Sequence, residues 1–257
     1  MEISITFLGT GTSGGVPFIS CHCEVCTSTD TRDKRLRTSA LIRTPTQTIC
    51  IDAGPDFRQQ MLRENIQHLD AVLVTHGHRD HIGGLDDIRP FNFSQAEAIP
   101  LYCDHYAEEM IREQFSYAFK NTEYEFAPKV HFHRIDKAPF VVGDITVQPI
   151  EVMHYKLPVK AFRIGDFTYI TDGKTVAPDQ MELLKGTKIL VINALRHHQH
   201  NAHFTIEEAL EMVRLIQPER AYFTHLSHQF GLHAEMQKQL PENVRIAYDG
   251  LTIQFEI

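Results

Sequence analysis

Short apolar runs recur along the chain and predict strands. They are rich in Ile, Val, Phe, Tyr and Thr, which favour extended backbone, and turn residues separate them. The predicted strands cover residues 3–8, 39–44, 47–52, 71–76, 99–104, 129–135, 145–152, 160–165, 167–172, 188–193, 220–225 and 251–256. Apolar residues three or four positions apart predict helices instead. The predicted helices cover residues 56–65, 105–119, 179–186, 205–217 and 232–240.

The order of these elements predicts an α/β fold in which two sheets pack together and helices cover their outer faces. Strands come in hairpin-like groups, and the helices lie between the groups. The segment TIEE predicts a capping box at a helix start, with Thr205 followed three residues later by Glu208. Because the chain shows no internal repeat, low-complexity segment or Ser/Gly-rich linker, we expect residues 1–257 to form one domain.

Composition and charge narrow the classes of function. Hydrophobic residues make up 42% of the chain and charged residues 23%, which is typical of a globular protein. The formal net charge of −8 argues against broad binding to DNA or RNA, but it allows a small phosphorylated substrate held by metals. The first residues lack a basic signal-peptide region, and no stretch approaches about 18 continuous apolar residues. We therefore expect no membrane span and a cytoplasmic location.

Three of the five cysteines lie together in the segment CHCEVC, residues 21–26. In a chain without an export signal, such a cluster favours a metal site over disulfide bonds. Three thiols are one ligand short of a tetrahedral site, and the segment itself does not show which residue completes it. Cys50 and Cys103 lie in apolar runs, so we expect them to be buried core thiols.

The segment THGHRDH at residues 75–81 carries the strongest chemical signal. It follows a predicted strand and places four metal-capable side chains within six residues. These are His76, His78, Asp80 and His81. Further metal-capable residues stand where other predicted strands end, a common position for functional side chains on a rigid scaffold. These are His154, Asp172 and His225.

This series of ligands resembles the metallo-β-lactamase superfamily. Asp52, in the segment IDAGPD, resembles the acidic residue that supports the metal loop in that family. The resemblance implies an αβ/βα four-layer sandwich with two divalent metals, Zn or Mn, at one edge of the sheets. It assigns His76, His78 and His154 to one metal. It assigns Asp80, His81 and His225 to the other, with Asp172 as the bridge. Two cations roughly 3.5–4 Å apart suit hydrolysis, because they lower the pKa of bound water and neutralise charge on the reacting oxygens.

Other segments resemble one subgroup of the superfamily, the phosphoribosyl 1,2-cyclic phosphate phosphodiesterases. They are FLGTGTSGGVP with the cysteines that follow it, GGLDDIRPFN, NALR and FTHLSH. The resemblance implies a dinuclear-metal hydrolase that cleaves a small cyclic ribose phosphodiester by attack of a metal-bridging hydroxide on phosphorus. It also implies a homodimer and one structural zinc in the loop at 21–26. The implied zinc ligands are Cys21, Cys23, Cys26 and His228.

The leaving alkoxide of such a reaction needs a proton donor near the metals. His203, two residues before Thr205, resembles the His-x-Thr histidine of the phosphodiesterase and ribonuclease members, and His200 is the second candidate. We also expect Asp80 to be a catalytic residue. We expect His197 and His198 to lie in a solvated loop, and Arg196 to form a surface ion pair rather than a phosphate contact.

Two further segments have open interpretations. Arg89, Phe91 and Asn92 follow the metal loop and either line the substrate pocket or, for Phe91, belong to the core. The aromatic segment at 114–126 is either a lid, with Tyr117 toward the substrate, or an amphipathic helix that packs its aromatic face.

Three other functions share parts of this pattern. A transfer-RNA 3′-processing endonuclease shares the metal set and the His-x-Thr histidine, but it needs a Gly/Pro-rich arm and a basic surface, which this chain lacks. A non-catalytic protein of a cofactor pathway, such as a relative in pyrroloquinoline quinone synthesis, shares the early cysteines but predicts missing catalytic ligands. A thioester hydrolase such as glyoxalase II shares the metal ligands and leaves the cysteine cluster unexplained.

Overall fold

The computed structural model describes residues 1–120 and 126–256, and two seven-stranded sheets dominate it. The first sheet has the strand order β14-β1-β2-β3-β4-β5-β6. Its strands are β1 (Glu2–Gly9), β2 (Ser39–Arg43), β3 (Thr48–Ile51), β4 (Ala71–Leu73), β5 (Ile99–Cys103), β6 (Val130–Arg134) and β14 (Thr252–Glu256). The second sheet has the order β13-β12-β11-β10-β9-β8-β7. Its strands are β7 (Phe140–Val142), β8 (Ile145–His154), β9 (Leu157–Ile164), β10 (Phe167–Ile170), β11 (Ile189–Asn193), β12 (Arg220–Thr224) and β13 (Val244–Ile246).

Helices connect the strands, and several of them cover the outer faces of the two sheets. They are α1 (Glu24–Thr27), α2 (Phe57–Arg63), α3 (Arg79–Ile82), α4 (Arg89–Gln95), α5 (His105–Gln114), α6 (Ser116–Lys120), α7 (Pro178–Leu184), α8 (Ile206–Ile216) and α9 (His233–Met236). Short 3-10 turns lie at Thr31–Asp33, Leu85–Ile88 and Gln237–Gln239. Among residues 1–120 and 126–256, no helix is both long enough and apolar enough to cross a bilayer.

Three apolar clusters hold these layers together. Phe7 and Phe162 belong to the cluster between the two sheets. Phe57 and Ile111 pack α2 and α5 on the outer face of the first sheet. Met212 is one of the α8 residues that pack on the outer face of the second sheet. The arrangement is therefore helix, sheet, sheet, helix, which confirms the predicted αβ/βα four-layer sandwich.

Most predicted elements exist, with some corrections. Each predicted strand has a counterpart, and the capping box at Thr205 and Glu208 is present. The strands β7 and β13, of three residues each, were not predicted. The single helix predicted over 105–119 is wrong, because the backbone at Phe115 leaves the helical region (φ −107, ψ 36) and separates α5 from α6.

Parallel pairing determines where functional side chains can meet. Strands β3 to β6 run parallel in the first sheet, and β10 to β13 run parallel in the second. Their carboxyl ends therefore open onto a common edge of the sandwich, where loops carry side chains outward. Asp52, the 75–81 segment, Asp172 and His225 all follow strands that end at this edge.

Candidate metal centre

The loop after β4 presents the first ligands. His76 is buried, Gly77 follows it, and His78 precedes α3, which carries Asp80 and His81. Position 77 has no room for a side chain, because a Cβ there would lie 2.6 Å from Sδ of Met110 on α5. The close contact between α5 and the loop brings a helix of the outer layer directly against the ligands.

Asp52 holds this loop in place through hydrogen bonds to Thr75 and His81. It lies at the end of β3, fully buried, and accepts hydrogen bonds of 2.8 Å from the backbone N–H and the hydroxyl of Thr75. Its Oδ2 lies 2.6 Å from Nδ1 of His81. The imidazole therefore directs its other nitrogen, Nε2, toward the remaining ligands, which is how outer carboxylates orient metal-binding histidines.

Two groups of side chains converge at the sheet edge, and they are the two sets implied by the sequence. In each group, the candidate ligand atoms lie within 4.8 Å of one another. One group consists of His76, His78, His154 and Asp172, and the other of Asp80, His81, Asp172 and His225. Asp172 belongs to both groups, which is the position that a bridging carboxylate occupies.

Backbone conformation at three strand ends aims these side chains. Asp52, Asp172 and His225 all have left-handed backbone, with φ of 61°, 53° and 56°. This region is costly for residues other than glycine, and such residues cluster at functional sites. Asn193 holds one of these turns, because its side chain accepts from Gly173 N (2.7 Å) and donates to Gly173 O (3.0 Å).

Two of the ligand nitrogens approach Asp172 without forming a hydrogen bond to it. Nε2 of His225 lies 2.9 Å from Oδ1 of Asp172, and Nε2 of His81 lies 3.4 Å from the same oxygen. Both nitrogens are buried, and neither has a hydrogen-bond partner among the described residues. Buried polar atoms are almost always bonded, so nitrogens and oxygens that face a shared point fit coordination of a cation there.

The pKa values of the buried side chains also fit a bound cation. Burial alone would raise the pKa of Asp172, but His225 and His81 hold it well below its ordinary value. Burial lowers the pKa of His76 and so favours the neutral imidazole that binds metals. Burial would also lower the pKa of His81, yet Asp172, Asp52 and Asp80 raise it well above its ordinary value. The negative charge of these carboxylates thus stabilises positive charge at this point, and a divalent cation would supply it.

His203 lies over the convergence point. Its ring centroid is 4.6 Å from that of His154, 4.7 Å from His225 and 4.9 Å from His200. Burial and the neighbouring His225 lower the pKa of His203 to about 2, so its imidazole is neutral near pH 7. His154 is itself oriented, because its Nδ1 lies 2.8 Å from the carbonyl of Ala202.

The cysteine cluster forms a second, separate group. The ligand atoms of Cys21, Cys23, Cys26 and His228 lie within 4.8 Å of one another. Nδ1 of His228 is 3.3 Å from Sγ of Cys21 and 3.4 Å from Sγ of Cys23, and the Phe18 ring stacks on the imidazole at 5.5 Å. Burial raises the pKa of Cys23, but hydrogen bonds with His228, Cys26 and Cys21 together lower it to about 6. This set of four fits a closed structural zinc.

The structure answers several questions that the sequence left open. Asn92 is buried and bonds the backbone of Glu97 and Lys129, so it holds loops together and does not line a pocket. Phe91 belongs to the core beside Phe57. His197 and His198 are exposed, as expected.

The aromatic segment is partly helical, and the arginine differs from its prediction. Tyr117 on α6 donates to Asp86, and Phe119 packs against the core on the outer face of the first sheet, while residues 121–125 of the segment lie outside the described residues. Arg196 was predicted to form a surface ion pair, and its guanidinium instead bonds two backbone carbonyls and Gln229. Sequence reasoning also missed the supporting roles of Thr75 and Asn193. Each is the first residue of a quoted motif, THGHRDH or NALR, and membership of that motif is the signal that could have pointed to it.

The fold and this constellation of ligands define a class of metal-dependent hydrolase. A family model described as "Beta-lactamase superfamily domain" matches residues 47–226, and the chain belongs to that superfamily.

Two solved structures of the same fold superimpose on this chain over nearly its whole length. A solved structure described as a new diphosphatase from the PhnP family superimposes with a TM-score of 0.93 at 37% identity, covering 99% of this chain and 98% of that one. Human tRNase Z, short form, superimposes with a TM-score of 0.73 at 18% identity, covering 99% of this chain and 100% of that one, and so shares the fold.

Curated relatives add two other names. A protein of Porphyromonas gingivalis named octanoyltransferase is 42% identical over 247 residues, which are 95% of this chain and 50% of that protein. Coenzyme PQQ synthesis protein B of Methylobacterium radiotolerans is 32% identical over 99 residues, 33% of each chain. The chain therefore spans half the length of the first relative, and the match to the second covers a third of each.

Proposed function

We propose that this metal-dependent hydrolase cleaves phosphodiester bonds of a small substrate, a cyclic ribose phosphate or a related diester. The observation that carries the proposal is the position of Asp172 in both ligand groups. A shared carboxylate fits two cations side by side, the arrangement used for in-line displacement at phosphorus. The likeness to the PhnP-family diphosphatase, at 37% identity over nearly the whole chain, supports phosphorus chemistry.

The residues divide the work of this reaction. His76, His78 and His154 would hold one cation, and Asp80, His81 and His225 the other. Bound divalent cations, Zn or Mn, supply a water of lowered pKa and neutralise charge on the phosphoryl group. His203 is neutral at pH 7 and so donates a hydrogen bond from a neutral ring N–H to the leaving oxygen. His200 lies beside it and is the second candidate for that role.

The name octanoyltransferase describes a protein twice as long as the matched region. This chain matches one half of that protein, so we do not carry the name over to it. We do not propose acyl transfer by this chain, because the described thiols are either buried or belong to the cysteine–histidine group that fits zinc. Burial raises the pKa of Cys50 and of Cys103 to about 12, and the other three cysteines face His228. The small diester as substrate and the homodimer implied by resemblance stay predictions.

A substrate panel tests the proposal. Metal-loaded protein is incubated with bis(p-nitrophenyl) phosphate, a 2′,3′-cyclic nucleotide, a ribose 1,2-cyclic phosphate, precursor tRNA and a glutathione thioester. We expect turnover of the small phosphodiesters, its loss in Asp80→Ala, and its retention in Asp166→Ala, which removes only a surface pair with Lys188. Turnover of the thioester alone would refute the proposal, and turnover of precursor tRNA alone would favour the endonuclease. Elemental analysis of the active protein distinguishes Zn from Mn.

A further inference from the structure

Arg196 makes three hydrogen bonds from one guanidinium, and they reach two different segments. Nε donates to the carbonyl of His198 (3.2 Å), and Nη2 donates to the carbonyl of Gln199 (3.2 Å). Nη1 donates to Oε1 of Gln229 (2.7 Å). The planar guanidinium has five N–H donors in a fixed geometry, so it suits several acceptors at once in a way that a lysine ammonium does not.

The first of these segments is the loop that carries the two candidate proton donors. Backbone bonds close its base, from Leu195 N to Phe204 O (2.9 Å) and from Ile206 N to Arg196 O (3.1 Å). Between these bonds, residues 197–199 are exposed. The Arg196 guanidinium therefore fixes the exposed half of the loop, immediately before His200.

The same loop also touches the metal ligands. The carbonyl of Ala202 lies 2.8 Å from Nδ1 of His154, and the ring of His203 lies against those of His154 and His225. A displacement of the loop would move the leaving-group donor and would turn the imidazole of His154 together with it.

The second segment carries the histidine of the cysteine cluster. Gln229 directly follows His228, and its backbone N–H donates to Oγ of Ser227 (3.1 Å). Ser227 in turn bonds the carbonyl of Leu195, through its backbone N–H at 3.1 Å and its hydroxyl at 3.0 Å. The segment that carries His228 is thus joined to the 197–203 loop twice. Ser227 bonds the base of the loop, and Gln229 reaches its exposed half through Arg196.

We propose that Arg196 is a positioning residue that couples the cysteine–histidine group to the loop carrying His200 and His203, through Gln229. The proposal rests on the proposed function for its catalytic consequence, since the position of this loop affects the rate only if its histidines donate a hydrogen bond to a leaving oxygen. Through this link, a bound cation in the cysteine–histidine group stabilises not only the N-terminal loop but also the geometry above the hydrolytic centre. Errors of about 1 Å in such geometry cost about 100-fold in rate, so a brace of this kind has a measurable effect.

Amide hydrogen exchange of residues 197–203 is the direct test, because it needs no substrate. Its reporter is the backbone N–H of Ala202, which donates to Nδ1 of His200 (3.2 Å). We expect faster exchange there in Arg196→Gln and in Arg196→Lys, with unchanged exchange in the strands β10 to β12. Arg214→Gln is the matched control, since Arg214 pairs only with Glu211 on the surface of α8. In the same variants kcat for a phosphodiester with an alkoxide leaving group should fall about 10- to 100-fold, as it does when outer partners of ligands are lost, while KM changes less.

Gln229 gives a second and milder pair of variants. Gln229→Leu removes the acceptor for Nη1 and should speed exchange of 197–203, whereas Gln229→Glu keeps an acceptor and should restore protection. This pair keeps the proposal testable if Arg196 variants fail to fold. Coupling to the cysteine cluster follows from a double-mutant cycle. Cys23→Ala should speed exchange of 197–203 in the natural chain and add little in Arg196→Gln.

The outcomes separate the two proposals. Unchanged exchange of 197–203 in Arg196→Gln and Gln229→Leu, or equal effects of Cys23→Ala in both backgrounds, would overturn the positioning role. A uniform rise in exchange across the chain with kcat unchanged would also overturn it, because it would show a general loss of stability. If the natural chain hydrolyses no phosphodiester, the proposed function fails. The exchange measurements still test whether Arg196 positions the 197–203 loop.

Discussion

The imidazole of His81 and the carboxylate of Asp52 form a buried pair, with Nδ1 2.6 Å from Oδ2. Both side chains are almost fully shielded from solvent, and Thr75 supplies two further hydrogen bonds to the carboxylate. The pair determines which nitrogen of His81 faces Asp80 and Asp172. A residue that contacts no metal therefore controls the tautomer of one that would.

Replacing Asp52 by Asn tests this relationship. An asparagine that accepts from Thr75 N turns its amide N–H toward Nδ1 of His81, which forces the proton of the ring onto Nε2. We expect the affinity for the cation at the Asp80, His81 and His225 group to fall about 10- to 100-fold. Metal titration with elemental analysis measures this, with Asp166→Asn as the surface control. An unchanged affinity would show that Asp52 does not orient the ligand.

His203 should matter most when the leaving oxygen develops the charge of an alkoxide. His203→Ala is expected to slow cleavage of a diester with an alkoxide leaving group by roughly 10²- to 10³-fold, the usual cost of removing one hydrogen-bond donor to a developing oxyanion. It should slow cleavage of bis(p-nitrophenyl) phosphate far less, because p-nitrophenolate leaves without protonation. His197→Ala is the control, since its side chain is exposed and pairs with Glu207. Equal losses on both substrates would contradict the role.

The cysteine cluster should hold one zinc per chain. Cys23→Ala removes the thiol whose pKa lies near 6, and we expect elemental analysis to show one zinc fewer with the hydrolytic cations retained. The melting temperature should fall by about 2–4 °C for each kcal/mol lost in a chain of this size. Cys103→Ala, a buried thiol far from His228, should keep its zinc. A chain that carries only the two hydrolytic metals before mutation would refute the structural site.

The lowered pKa of His233 predicts that the protein loses stability as the pH falls below about 6.5. Burial and the neighbouring Arg35 lower its pKa to about 4, from an ordinary value of 6.5. The unfolded chain therefore takes up this proton near pH 6.5 and the folded chain only near pH 4. The free energy of unfolding from this group is fully present above pH 6.5 and falls as the pH drops through that window.

The variant His233→Gln isolates this contribution. Denaturant unfolding of the natural chain and the variant at several pH values gives two curves, whose difference should shrink as the pH is lowered from about 7 to about 5. The nearby Asp249, whose pKa burial raises to about 6, acts in the opposite direction but is present in both chains and cancels in the difference. A constant difference would contradict the lowered pKa of His233.

Local patterns predicted much of the fold. Period-two and continuous apolar runs marked the long strands, and Thr205 with Glu208 marked the start of α8. The failures lie where local signal is weak. β7 and β13 have three residues each, too few for a pattern, and they exist because a neighbouring strand pairs with them. The break at Phe115 falls inside an amphipathic pattern that continues on either side, so the sequence there favoured one helix.

Sequence alone indicated which residues are suited to bind metal, because residue type and placement after a strand are both local properties. His76, His78, Asp80 and His81 are readable in that way, and His154, Asp172 and His225 are readable as strand ends. Tertiary structure decided which of them meet. It brought Asp172 into both groups and set Asp52 behind His81, because parallel strands of two sheets end at one edge. It also decided the roles of Arg196 and Asn193, since hydrogen bonds to distant backbone leave no periodic trace in a sequence.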